Sequence, residues 1–280
     1  MESISFSIAG CEIRLLMPFR PEVTRGFQPF LCAPGEAPLT VSLLPVQALP
    51  EVRGRELLRN YAFAVFRTED GFFRVFHDRR EGDRPYAVGH LEVDGRETIE
   101  YLEADSETAN CFSHIALEAL LLQRDAMILH ASFVSTRYGG LLFSGVSGIG
   151  KSTQADLWQR YEGAELLNGD RTVLRRMDGV WTAFGSPYAG SSNCFVNESR
   201  PVRAIVLLSQ GSACSLRRLS PAAAFRGLYA GMTVNLWDDR YVARVCDLLA
   251  ALDVPVYALT CTPDRAAVDC LKAELEHETA

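Results

Sequence analysis

Short apolar runs broken by turn residues dominate the first hundred positions. Residues 4–8 and 11–16 are separated only by Ala9-Gly10, the spacing of a tight hairpin. Residues 40–44, 61–67, 72–77 and 86–93 continue the series, with Asp70-Gly71 as a turn signal between two of them. The charged run at 78–84 predicts an exposed loop. Residues 1–106 are therefore expected to be β-rich. From Glu107 the period changes. Residues 107–124 hold neither Gly nor Pro, and Phe112, Ile115, Ala116, Ala119 and Leu120 recur at helical spacing, which predicts a largely buried helix.

Further along, residues 127–135 and 140–144 read as strands joined by a turn at 136–139, then a glycine loop and a helix from about Lys151 to Tyr161. Residues 165–168 and 172–176 are short strands, with a turn at Met177-Asp178-Gly179. A strongly apolar strand follows at 204–209. Ser220-Pro221 then pairs a serine N-cap with proline at the first helical position. Residues 241–252 predict a helix and 256–261 a strand, and Thr262-Pro263 is expected to cap a last amphipathic helix. Alternating strands and helices point to an α/β (α+β mixed) core over 107–280. The β-rich 1–106 is expected to pack on that core, because no linker sets it apart.

The loop in this core carries a chemical pattern. Gly145-Val146-Ser147-Gly148-Ile149-Gly150-Lys151-Ser152 matches G-x-x-x-x-G-K-[ST]. Glycines at that spacing let the backbone wrap so that successive N–H groups point at phosphate oxygens, and the following helix aims its positive end at the same anion. Gly145, Ser147, Gly148, Ile149, Gly150, Lys151, Ser152 and Thr153 are thus candidates to hold a nucleoside triphosphate. Lys151 would reach its β- and γ-phosphates and Ser152 would ligate Mg²⁺. Asp170 ends a short apolar stretch 19 residues after Lys151, where an acid commonly holds Mg²⁺; it also fits an ordinary turn aspartate after Asn-Gly. His130 lies on the strand expected to pair with the one feeding the loop. By spacing alone it reads as a satisfied core histidine.

Composition sharpens this picture at a few points. Only two of the 28 basic residues are lysines, Lys151 and Lys272, so most basic positions accept arginine and Lys151 stands where a compact ammonium is needed. A net charge of −7 argues against nucleic acid as the main partner. The eight cysteines form no CxxC pair, which favours reduced thiols over disulfides or zinc. No run approaches the roughly 18 apolar residues of a membrane helix. Residues 1–6 lack a basic stretch followed by an apolar one, so a cytoplasmic location without membrane contact is expected.

Leu129-His130-Ala131-Ser132, the paired glycines before residue 141, the loop from Ser144 to Ser152, and Gly169-Asp170-Arg171 together resemble the HPr kinase/phosphorylase catalytic domain. That family's P-loop core is shared more distantly with ATP-dependent phosphoenolpyruvate carboxykinase. The likeness covers residues 107–210 well, is weaker in the C-terminal quarter and is absent from the first hundred positions. It implies ATP and Mg²⁺ as cofactors, with Ser152 and Asp170 on the metal. It also implies catalytic roles for His130, Lys151 and Asp170, and a kinase that transfers the γ-phosphoryl group to a hydroxyl acceptor. The acceptor would be a serine of a protein or peptide, or a small metabolite. Kinases of this relationship tend to form homo-oligomers.

The departures matter. The position of the family's first aspartate is Gly169 here, and Thr153 replaces the acid after the loop serine. Either Asp170 takes two roles or the base lies elsewhere, Glu198 being one candidate and otherwise a solvated loop carboxylate. The small and hydroxyl residues of 185–193 suggest a loop facing the site, or a plain surface loop. Two alternatives stay open: a nucleotide-binding regulatory module without turnover, favoured by the missing carboxylates, and a phosphoenolpyruvate carboxykinase-like enzyme, disfavoured because Lys272, the one lysine outside the loop, falls in the expected C-terminal helix and leaves none for its metal site.

Overall fold

The computed structural model describes residues 1–19, 22–78, 83–92, 95–103 and 112–277. Cys111, most of the charged run at 78–84 and the first part of the helix expected at 107–124 lie outside them. Contacts divide the chain into two compact units. The first is Met1–Arg124 with Asn235–Asp239, and the second is Asp125–Val234 with Arg240–Ala280. Each holds a mixed sheet, so the class is mixed α/β with few helices.

Among the described residues, the first unit holds nine strands: β1 (Glu2–Ile8), β2 (Cys11–Met17), β3 (Leu31–Cys32), β4 (Leu39–Val46), β5 (Arg55–Arg59), β6 (Phe63–Arg67), β7 (Gly71–Asp78), β8 (Arg84–Glu92) and β9 (Glu97–Leu102). Their order is β3-β1-β2-β4-β9-β8-β7-β6-β5, with β4 parallel to β2 and β9. Ala9 (φ 52°) and Gly10 (φ 70°) are both left-handed, the twist a two-residue hairpin needs, and β1 and β2 pair from Ile8↔Cys11 outward. Phe6, Phe27 and Phe112 meet edge-on or tilted with centroids 5.1–6.0 Å apart and anchor one part of the core.

The helix expected over 107–124 is interrupted. Ala116 leaves the helical region (φ −76°, ψ 60°), and the helix after it, α1, spans Leu117–Leu122. The cause is tertiary. The Ala116 N–H, which a continuous helix would give to Phe112, instead donates to both Glu97 carboxylate oxygens at 2.9 and 3.2 Å.

The second unit contains β10 (Ala126–Thr136), β11 (Gly139–Ser144), α2 (Lys151–Glu162), β12 (Glu165–Asn168), β13 (Arg171–Met177), β14 (Val180–Phe184), β15 (Ser199–Gln210), β16 (Ser215–Arg218), α3 (Pro221–Tyr229), α4 (Asp239–Ala250), β17 (Val256–Cys261) and α5 (Arg265–His277). Two long strands change partners midway. β10 pairs with β13 through Ala126–His130 and with β11 from Ala131 onward. β15 pairs with β14 at Ser199–Pro201 and with β11 from Val202 onward. Strands β10, β13, β14, β15 and β11 therefore close a circuit, and β17 extends it parallel to β15. Helices α2 and α5 cover this sheet, burying Trp158, Val268 and Leu271 against Phe143, Val206 and Tyr257.

Two helix starts differ in detail from expectation. Ser220 occupies the N-cap of α3 without a side-chain capping bond. The last helix begins at Arg265, two residues beyond Thr262-Pro263, because the Asp264 carboxylate accepts the Ala266 N–H at 2.9 Å. No described helix is long and apolar enough to cross a membrane.

Candidate functional site

The chain leaves β11 at Ser144 and turns back through three glycines in left-handed conformation: Gly145 (φ 150°), Gly148 (φ 77°) and Gly150 (φ 116°). A Cβ added at Gly148 or Gly150 would meet no atom within 4 Å, so these glycines serve the backbone path and leave an open concavity. Lys151 opens α2, and its buried side chain folds back so that Nζ donates to the Gly145 and Val146 carbonyls at 3.2 and 3.3 Å. Burial lowers the Lys151 pKa, and the Asp170 charge opposes that shift. The first turn of α2 carries no acidic residue, so the positive end of the helix is unneutralised there.

His130 sits where β10 passes from one partner to the next. Its Nε2 lies 3.0 Å from Asp170 Oδ1. Burial is the main cause that lowers the His130 pKa, the Lys151 cation adds to it, and Asp170 offsets part of it. The imidazole is accordingly held toward its neutral form. Asp170 is placed by Asn168, which is fully buried and whose Oδ1 accepts the N–H groups of Asp170 and Arg171 at 2.9 and 2.8 Å. The Asn168 amide in turn donates to the Ser186 and Tyr188 carbonyls, both at 3.3 Å. The Asp170 carbonyl accepts from Ala131 N–H at 2.9 Å, tying the turn to β10 beside His130.

His130, Ser147, Gly148, Gly150, Lys151, Ser152, Thr153 and Asp170 thus share the wall of one cavity of about 330 Å³. Gly145 stays outside that wall and acts through its carbonyl on Lys151. Ile149 lines a second cavity instead. Glu198 does not reach the first cavity; its carboxylate pairs with Arg200 at 3.0 Å. Lys272 is held by Glu162 at 2.8 Å on the far side of α2.

The loop at 185–193 does reach the site. Ser191 lines the cavity, and Gly190 is left-handed (φ 54°), where a Cβ would lie 2.9 Å from that of Asp170. Gly169 belongs to the same close approach. A Cβ there would fall 2.2 Å from Ser192 Oγ and 2.3 Å from Ser192 Cβ. No side chain fits at 169 while this loop keeps its place. Ser132 and Ser144 were missed in the sequence: their hydroxyls donate to the Gly169 and His130 carbonyls at 3.0 and 2.9 Å. The signal was one hydroxyl residue amid the buried positions of β10 and another closing the apolar run of β11.

Chemically, the cavity combines an open backbone loop, one ammonium, two hydroxyls on the first turn of a helix, and a histidine–carboxylate pair. Such a set can hold an anion and accept a proton beside it.

No family model matches the chain, and no curated protein does. Among solved structures, the Hpr(Ser) kinase/phosphatase from Coxiella burnetii matches over 54% of this chain and 94% of that one, at 15% identity and a TM-score of 0.33. Likeness at that level identifies no family, and the chemistry is read from the residues.

Proposed function

We propose that this chain is an ATP-dependent phosphotransferase with its catalytic machinery in the second unit. The observation that carries the reading is the convergence of Lys151, Ser152, His130 and Asp170 on one cavity at the mouth of a glycine loop. The residues fit a magnesium nucleoside triphosphate. The cradle at Gly148 and Gly150 is open, the start of α2 is unopposed by acid, and Lys151 rests on loop carbonyls from which it can turn to phosphate. Ser152 and Asp170 would hold Mg²⁺. Bound there, Mg-ATP supplies the γ-phosphoryl group to be transferred.

The chain's own part is placement and proton transfer. Lys151 and the loop amides would hold the phosphates toward the acceptor. The neutral His130, hydrogen-bonded to Asp170, takes up the proton of an acceptor hydroxyl, and Asp170 steadies the charge this creates. The pair acts as one base, taking the place of the carboxylate that Gly169 lacks. Ser191, on the cavity wall, would contact the acceptor. The acceptor is a hydroxyl of a protein, a peptide or a small metabolite.

The test is transfer of label from γ-labelled ATP into an extract of the source cells, comparing wild type with Lys151→Ala and separating products by size. Label seen only with wild type is the expected result. Lys151→Ala should also lose the thermal stabilisation that Mg-ATP gives the wild type; equal stabilisation of both proteins would sink the reading. Binding of Mg-ATP without any Lys151-dependent transfer would instead favour a regulatory nucleotide module, the reading to which the bare Gly169 position lends support.

A further inference from the structure

The second cavity, of about 370 Å³, shares Gly148, Gly150 and Thr153 with the first but is lined by neither His130 nor Asp170. That volume falls in the usual range for small-molecule sites, about 300–1,000 Å³. Its apolar wall is Ile149, Leu208, Cys261 and Pro263, and its polar rim includes Gln210 and Thr262. We infer that this cavity receives the nucleoside end of the triphosphate whose phosphates occupy the loop, an inference that rests on the phosphotransferase reading and extends it.

Three observations carry it. The two cavities adjoin, because Gly148, Gly150 and Thr153 line both. The polarity of the ligand is fixed as well. The His130–Asp170 pair marks the end where transfer occurs, and this cavity, which shares the loop but neither of those residues, is left for the rest of the nucleotide. The topology agrees with this direction. Strands β11, β15 and β17 run parallel, and their carboxyl ends at Ser144, Gln210 and Cys261 form one edge. Ligands of parallel sheets collect in the crevice outside such an edge.

The lining also says how the base is held. An apolar slot with a hydroxyl and an amide at its rim suits a flat heterocycle with polar edges. None of the described lining residues is a carboxylate or a cation, so the base is gripped by shape and apolar contact. The loop is braced from this side, with Gln210 Nε2 3.5 Å from the Gly148 and Ile149 carbonyls. Filling the slot should therefore act on the nucleoside and spare the phosphates.

The experiment compares Mg-ATP with Mg-tripolyphosphate, which has the phosphates and lacks the nucleoside, by calorimetry on the full chain. Wild type should bind ATP roughly tenfold or more tighter than tripolyphosphate. In Cys261→Trp the ATP affinity should drop to that of tripolyphosphate, whose own affinity stays unchanged. An undiminished preference for ATP in the variant would overturn the inference. A second measurement needs no substitution. N-ethylmaleimide labelling of Cys261, followed by peptide mass mapping with Cys246 as internal control, should be slowed several-fold by Mg-ATP and not by tripolyphosphate. Equal labelling of Cys261 with and without Mg-ATP would overturn it independently. Failure of the phosphotransferase reading looks different: neither ligand would bind wild type in a way that Lys151→Ala removes.

Discussion

At the scale of single residues, the site turns on how three titratable groups share a small volume. Burial, and after it the Lys151 cation, hold His130 below its ordinary pKa of 6.5, against the pull of Asp170. If the neutral imidazole accepts the acceptor proton, kcat/KM falls only as pH drops through that lowered value. The acid limb of its pH profile should therefore bend below 6.5, and a limb bending well above 6.5 would contradict the assignment. Asp170→Asn keeps the shape and removes the charge that steadies a protonated His130. Turnover should fall by about 100-fold or more, with far less change in Mg-ATP affinity measured by calorimetry. A fully active Asp170→Asn protein would remove Asp170 from the mechanism.

At the scale of elements, the glycine loop and the 185–193 loop behave differently as objects. The first is local: strand, turn and helix follow one another in the chain, so a motif of eight residues shows it. The second works by contact at a distance. Gly169 and Ser192 are 23 positions apart, and their close approach has no periodicity to betray it. Gly169→Ala should destabilise the second unit by about 1–3 kcal/mol, and adding Ser192→Gly should recover much of that loss in thermal melts. An additive double variant would show that the two positions do not compete for space. The same distinction explains the strands. Those with clean alternation and a turn signal, such as β1 and β2, were legible. β9 was not, because its first buried position is Glu97, and the two-residue β3 exists only through its pairing with β1. The break at Ala116 was equally hidden, since the bond that causes it comes from that same Glu97.

At the scale of the whole molecule, two units carry two separate polar interiors. In the first, Arg74 pairs with Glu97 and donates to the His114 carbonyl, and His114 Nε2 meets Tyr86 at 3.0 Å. Burial pushes Glu97 up to about 7 despite Arg74, while burial and Arg74 together push His114 down to about 4. A raised carboxyl gives stability that is present below its ordinary 4.5 and lost as pH rises through about 7. A lowered histidine gives stability that is present above its ordinary 6.5 and lost as pH falls through about 4. Between 4.5 and 6.5 the two slopes oppose each other. Glu97→Gln leaves the histidine slope alone, so the Tm of the variant should decline on acidification across that window more steeply than the wild type's. Parallel curves would show that Glu97 does not titrate there.

The circuit of strands in the second unit has a consequence for how the protein comes into being. Every residue assigned to phosphate, metal or proton lies between His130 and Asp170 in the chain, yet the strand that joins β14 to β11 is β15, which starts at Ser199. During synthesis, the ribosome will have released all the chemistry before it has released the segment that closes the hoop. A chain stopped before Ser199 would carry every group assigned to phosphate, metal and proton and no frame to hold them in register. The frame around the phosphate loop is therefore closed late, when β15 takes its place between β14 and β11, rather than accumulating with length.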